Sequence, residues 1–311
     1  MLRFVLSRVA GLMPVLMAAI VITFAATRAL PGDPIAVMLS DHSADKVLAQ
    51  KLRAEYGLDR PLPEQFARYV SEILTGNFGL SFRYVHQPVS EVIRDSLLIS
   101  PVLALAALVV ALALGSAAGT WAALHRNRFQ DTAIVVVLVA GLSIPNFAIA
   151  TFLVYFLSVK MNLLPVAGWG TWRQAVLPII VLAIPSAAYI ARLTRTFMLE
   201  VLSQDFVRTA RAKGLSERAV IVRHAFGNTL VPLITSAGII FGGLLSNTVV
   251  VETIFNIPGL GRLAIDSVFA RDYPVVMAVV ILFVVFFAVI NLIVDILYAV
   301  IDPRIRAGLT E

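Results

Sequence analysis

Six stretches of the chain carry no Asp, Glu, Lys or Arg over the roughly 17–25 residues that a helix needs to cross a bilayer. They are Val9–Thr27, Ser96–Leu124, Thr132–Val159, Gln174–Ala191, Ala225–Val251 and Tyr273–Val294. The second, third and fifth are longer than one crossing requires, so the true ends shift by several residues. The pattern predicts an all-α polytopic membrane protein with six transmembrane helices. Five of the runs hold an internal proline: Pro14, Pro101, Pro145, Pro178 with Pro185, and Pro232. Membrane helices tolerate proline where neighbours satisfy the freed carbonyl. The alternative is that these prolines kink the helices and shape a pathway.

The first run follows Arg3 and Arg8, as the apolar part of a signal peptide would. It exceeds the usual 7–15 residues, however, and no small-residue cleavage site precedes Arg28. A retained helix is expected. The long polar stretch after it also has a pattern. Ser43 is placed to cap a helix running toward Gly57, and Pro63 opens another that Gly76 closes. In "PVSEVIRDSL", Val89, Val92, Ile93 and Ser96 share one face, which predicts an interfacial helix feeding the second span. The chain thus divides into an N-terminal transmembrane helix (1–28), an extracytoplasmic loop region (29–95), a five-helix core (96–301) with a charged loop at 192–224, and a tail (302–311).

Composition strengthens the membrane reading. The 311 residues are 59% apolar and 14% charged, whereas soluble domains are about 45–50% apolar and ~25% charged. There is no cysteine, so disulfide and thiolate chemistry are excluded. The formal charge of +6 does not imply nucleic acid, because cytoplasmic membrane loops carry a basic excess. With a cytoplasmic N-terminus, thirteen Lys and Arg fall in inner segments and four in the short outer loops. That bias puts both termini, and residues 192–224, in the cytoplasm.

Several chemistries are missing. The four histidines lie outside the apolar runs, and no zinc-protease or serine-hydrolase motif occurs. The dipeptide Gly-Lys is absent, so the chain has no Walker A loop, and any ATP that drives it binds another chain. The runs contain no acid, which counts against an ion-coupled carrier. A signalling role would need a soluble effector domain, and none is visible. The polar groups inside the runs are uncharged: Ser143, Asn146, Asn228, Ser246, Asn247, Thr248 and Asn291. Either they line a pathway, or they hydrogen-bond helix to helix for roughly 0.6 kcal/mol each.

The stretch "DFVRTARAKGLSERAVIVRHAF" holds six basic residues, counting His224, between two apolar runs. Asp205 is expected to cap a short helix with Phe206, Val207 and Ala210 on its apolar side. Lys213 suits the last turn, and Gly214 the left-handed position beyond it. Ser216 caps a second short helix with Glu217 in its first turn. Leu215, Ala219, Val222 and Phe226 then form its apolar stripe. Such a hairpin either rests on lipid headgroups or docks a partner.

At these residues the chain resembles a known family. "RTARAKGLSERAVIVRHAFGNTLVP" is similar to the cytoplasmic EAA loop of binding-protein-dependent ABC importer permeases of the dipeptide, oligopeptide and nickel branch. "LPGDP" (Leu30–Pro34), "YGLDRPL" (Tyr56–Leu62), "GNFGLSF" (Gly76–Phe82), "IFNIPGLGRL" (Ile254–Leu263), "RDYPVV" (Arg271–Val276) and "DPRIR" (Asp302–Arg306) resemble that branch in the same order. Two positions depart from the pattern: Arg208 stands where the general EAA motif has Glu, and Asn77 where the branch more often has Asp.

The resemblance implies a type I ABC importer permease in the bacterial cytoplasmic (inner) membrane, with no catalytic, cofactor or metal site of its own. It implies that Arg208, Thr209, Ala210, Arg211, Ala212, Lys213, Gly214, Leu215, Ser216, Glu217 and Arg218 couple to an ATPase. ATP and Mg would bind two separate ATP-binding subunits. The implied partners also include a second homologous permease, usually forming a heterodimer, an extracytoplasmic solute-binding protein, and the bilayer. The implied cargo is a di- or oligopeptide, with nickel chelates, glutathione or opines as alternatives.

Overall fold

The structure is a computed structural model and describes residues 2–29, 35, 39, 46–84 and 86–301. Ser43, expected to cap a helix, and the motifs Leu30–Pro34 and Asp302–Arg306 lie outside the described residues. The described part is helical and contains no strand; one isolated bridge joins Leu80 and Pro88. In chain order the helices are α1 (Leu2–Ala29), α2 (Lys46–Glu55), α3 (Leu62–Leu74), α4 (Val89–Arg94), α5 (Ile99–Leu124), α6 (Phe129–Ser143) and α7 (Asn146–Leu153). They continue with α8 (Trp172–Leu202), α9 (Asp205–Ala212), α10 (Glu217–Ala219), α11 (Gly227–Ile254), α12 (Leu260–Phe269) and α13 (Tyr273–Ile301). Two π-helical stretches, Val154–Lys160 and Val220–Phe226, extend α7 and join α10 to α11.

Among the described residues five helices are long and apolar enough to cross a membrane, and the third apolar run is a bent pair that makes a sixth if it counts as one span. There α6 and α7 meet at 103°. The break falls at Pro145. Its ring drives Ile144 out of the helical region to φ −88, ψ 123, and it caps α7 without an N–H of its own. The other prolines do less. Pro14, Pro178, Pro185 and Pro232 stay inside continuous helices. Pro101 sits in the first turn of α5, where a missing N–H costs nothing.

The chain forms two compact units. One comprises residues 1–7, 101–257 and 287–311. Within it α8 packs against α6, α7 and α11. Helix α5 meets α8 through Gly115 and Gly119, one turn apart. A Cβ at Gly115 would stand 2.6 Å from the Ala187 carbonyl oxygen, and one at Gly119 would strike the Ala191 carbonyl. Small residues at this spacing let membrane helices approach backbone to backbone. Gly119→Leu is therefore expected to force α5 off α8 and to cost at least about 1–3 kcal/mol. A lower unfolding temperature and a smaller monodisperse fraction in detergent would register the loss.

The second unit comprises residues 8–100 and 258–286. Its helix ends follow the turn chemistry expected from sequence. Pro63 lies in the first turn of α3, and Gly57 and Gly76 hold φ +65 and +72 beyond α2 and α3. Gly76 N–H donates to Ile73 and Asn77 N–H to Glu72, a paired closure of the helix. On α4, Val89 and Ile93 are buried, Ser96 beyond its end is too, and Val92 packs on the same core with Leu260, Val275 and Val279. Motifs far apart in sequence converge here. The buried Asp272 carboxylate accepts from the Ser81 hydroxyl, from Phe82 N–H at 3.0 Å and from Arg83 N–H at 3.3 Å. The Tyr56 hydroxyl reaches the Ser81 carbonyl at 3.2 Å. Tyr56, Phe82 and Tyr273 add two edge-on ring contacts. Three motif segments of the sequence are thus one structural knot.

Candidate functional site

The charged stretch folds as two helical segments across Gly214, with corrections. Gln204, not Asp205, occupies the N-cap of α9; Asp205 is the first helical residue. Its carboxylate still suits the positive end of the helix and lies 3.8 Å from Arg208. At the other end Gly214 holds φ +79. Its N–H donates to the Arg211 carbonyl at 2.9 Å, and Leu215 N–H to Ala210 at 3.4 Å. This is the Schellman closure that the glycine position predicted. Ser216 caps α10, its hydroxyl accepting from Ala219 N–H at 3.4 Å.

The second segment is not a separate short helix. Glu217 to Ile254 runs as one 38-residue helical rod. The π-helical Val220–Phe226 shifts the side-chain register, so an α-helical stripe does not hold. Of the expected stripe, Leu215 is 43% exposed and Val222 59% exposed, Ala219 and Phe226 are half-buried, and Val220 and Ala225 are the fully buried positions. Val220 packs with Val207 and Ala210 of α9 and with Val201 and Leu202 at the end of α8. Phe206, expected on the packed side, is exposed. The outward surface therefore combines Phe206, Leu215 and Val222 with Arg208, Lys213 and Arg218, while Ala210 faces inward. Thr209 and Ala212 complete the exposed side of α9.

One ion pair closes the turn. Arg211 grips Glu217 with both ends of its fork, at 2.7 and 3.2 Å. The bound carboxylate raises the Arg211 pKa above its ordinary value. Exposed as it is, the pair adds little stability. It fixes how α10 leaves α9.

Along α11 the neutral polar groups separate by face. Asn228, Thr235, Ile239, Ser246 and Thr253 fall within an arc of about 40° on a helix of 100° per residue. All five are exposed. Asn247 is exposed beside them. Asn228, Ser246 and Asn247 each donate to the carbonyl four residues back. Thr248 is enclosed and donates to Leu245. Asn291 on α13 abuts Gly238, where a Cβ would collide with its side-chain oxygen. Ser143 ends α6 on an exposed surface, and Asn146 opens α7 half-buried. The structure thus exposes Asn228, Ser246 and Asn247 along one rod, buries Thr248 on another face of it, and places Ser143, Asn146 and Asn291 on other helices.

Sequence reasoning missed two acids. The charge-free run was expected to end at Val251, but α11 continues to Ile254 and encloses Glu252, which is fully buried. Left-handed Asn256 and then Pro258, not the acid, end that helix. The runs therefore do not exclude an intramembrane acid, and that argument against ion coupling loses its footing. Asp131 is the other. It lies buried in the first turn of α6, and Arg195 of α8 holds both its oxygens at 2.7 Å. Asn127 N–H, from a left-handed turn, adds a third bond at 3.1 Å. The pair joins α6 to α8 two turns before α8 hands over to α9. A lone Asp at the edge of an apolar run was its only sequence signal.

Comparison with known proteins adds the following. Residues 115–307 match the family described as binding-protein-dependent transport system inner membrane component, and residues 1–100 match its N-terminal region. The glutathione transport system permease protein GsiC of Shigella flexneri serotype 5b (strain 8401) is 42% identical over 306 residues, covering 98% of this chain and 99% of that one. Its counterparts from Escherichia coli (strain K12) and Salmonella paratyphi A (strain ATCC 9150 / SARB42) are 42% and 43% identical over the same length. Among solved structures, an inward-facing conformation of the MetNI methionine ABC transporter superposes with a TM-score of 0.57 at 17% identity. It covers 68% of this chain and 96% of that one, and shows a shared fold.

Proposed function

The chain belongs to the family of inner membrane components of binding-protein-dependent transport systems, and on that premise we propose how it works as the permease of an ABC importer. The supporting observation is the 38-residue rod from Glu217 to Ile254. One end carries the exposed basic and apolar surface around Gly214, and its length carries the stripe of Asn228, Thr235, Ser246 and Thr253, interrupted by the exposed Ile239. Polar groups on an open membrane-helix face suit a water-filled path or a partner helix better than lipid. Arg208 to Arg218 dock a separate ATP-binding subunit, and closure of two such subunits, each with ATP and Mg, moves the rod. The striped face forms half of the translocation path against a second, homologous permease. The chain itself performs no catalysis. An extracytoplasmic solute-binding protein delivers the cargo.

We assign the cargo to small peptides. The relatives named for glutathione support this, since glutathione is itself a tripeptide. Ligand identification on the solute-binding partner would establish which peptide.

The mechanism requires residues 192–224 and both termini inside and residues 29–95 outside. The chain has no cysteine, so each introduced one is unique. Ser71→Cys on exposed α3 is expected to react with an impermeant maleimide in intact cells, and Ser216→Cys only after permeabilisation. The reverse pattern would overturn the orientation.

A further inference from the structure

A cavity of about 230 Å³ opens in the unit formed by residues 8–100 and 258–286. Its lining residues include Gln65 and Tyr69, each with an enclosed polar atom that the fold leaves without a partner. Tyr69 is only 6% exposed, yet its enclosed hydroxyl meets no hydrogen-bond partner. Burial pushes its pKa up, so the phenol stays a neutral donor. Gln65 spends its amide nitrogen on the Arg60 carbonyl at 2.7 Å and leaves its enclosed Oε1 unmet. Buried polar atoms are rarely left unmet, and here two stand on one helix of 13 residues.

Charged groups line the same cavity. Arg28, in the last turn of α1, lies with its guanidinium 5.3 Å from the Phe24 ring centroid, and no carboxylate pairs with it among the described residues. Arg68 binds Glu72 through Nε at 2.8 Å, which leaves its two terminal nitrogens and the second Glu72 oxygen for other partners. Gly57, at φ +65, keeps the facing turn open; a Cβ there would stand 2.9 Å from a terminal nitrogen of Arg68. Guanidinium and phenol donors suit an oxyanion. The free Glu72 oxygen and Gln65 Oε1 suit a cation that can donate hydrogen bonds. Helix α1 is long and apolar enough to cross a membrane, and Arg28 ends it, at the depth where headgroups lie.

We propose that this cavity binds a zwitterionic phosphate–ammonium group, its phosphodiester on Arg28, Arg68 and Tyr69 and its primary ammonium on Gln65 and Glu72. The volume accommodates a headgroup or a small solute and excludes a larger ligand. A phosphatidylethanolamine headgroup supplies both charges, and so does soluble glycerophosphoethanolamine. Phosphatidylcholine supplies the phosphate but cannot donate hydrogen bonds from its cation. Phosphatidylglycerol lacks the cation.

The test uses the complete importer, delipidated in detergent. Native mass spectrometry follows titration with phosphatidylethanolamine, phosphatidylcholine or phosphatidylglycerol, and with glycerophosphoethanolamine in a separate arm. One phosphatidylethanolamine per chain is expected to survive at activation energies that strip the other two lipids. Tyr69→Phe, which removes only the orphan hydroxyl, and Arg28→Gln should each weaken that retention about tenfold. Retention of the soluble compound alone, lost in the same variants, would support the same site with a soluble ligand. Equal retention of all three lipids would overturn the proposal. So would wild-type retention in Tyr69→Phe with unchanged or higher thermal stability, the behaviour of a hydroxyl merely trapped in a packed core.

Discussion

Gly214→Val is expected to leave the protein in the membrane at near-normal levels while abolishing uptake and substrate-stimulated ATP hydrolysis in the assembled importer. The glycine holds φ +79, and nothing lies within 4 Å of where a Cβ would stand. The penalty is therefore one of backbone conformation and not of collision, roughly 1–2 kcal/mol for a β-branched residue. Relief of that strain breaks the closure made by Gly214 and Leu215 on Arg211 and Ala210, and re-aims α10. Because α10 continues into α11, the error is carried directly into the membrane. The spans keep their own packing, so insertion survives. Gly214→Asn is the control, since Asn tolerates the left-handed region, and it should retain most activity. Wild-type uptake and hydrolysis in the valine variant would remove the turn from the mechanism. A hairpin that only rests on lipid would give that outcome.

Arg195→Met is expected to cost about 3–5 kcal/mol, because it strands a buried carboxylate. Asp131 is enclosed and its two oxygens depend on that guanidinium. The reciprocal Asp131→Leu is milder, because Arg195 is partly exposed and can turn toward water. Replacing both together should restore most of the loss, since an apolar pair of similar size can match a buried ion pair. A double-mutant cycle on the unfolding temperature in detergent reads this coupling. Additive losses, with no recovery in the double variant, would show that the pair does not join α6 to α8.

These two sites differ in how far the sequence disclosed them. Gly214 was legible because helix closure is local: a cation in the last turn, a glycine, an apolar residue and a capping serine occupy consecutive positions. The same holds for Gly76 and for the buried face of α4. Asp131 and Asp272 were not legible, because their partners lie 64 and about 190 residues away. Their burial follows from tertiary pairing, which no local pattern carries. Helix ends were misjudged for a related reason. A charge-free run stops at the first charge, whereas a helix stops where the backbone turns, and Glu252 lies between the two. The π-helical Val220–Phe226 was hidden because its side chains read as an ordinary amphipathic stripe. At Pro145 the sequence showed a proline, but the 103° angle depends on how α7 packs against α8 and α11.

If the exposed surface around Gly214 docks an ATP-binding subunit and moves with it, residues on that surface lie within cross-linking reach of the subunit. Single cysteines at Leu215 and Val222, introduced into this cysteine-free chain, can be tested for oxidative cross-linking to cysteines scanned over the ATP-binding subunit in the reconstituted importer. Cross-links are expected from both positions, with yields that change between nucleotide-free and ATP-bound states. Cross-links absent from both positions, in an importer that still hydrolyses ATP on addition of loaded binding protein, would contradict that docking.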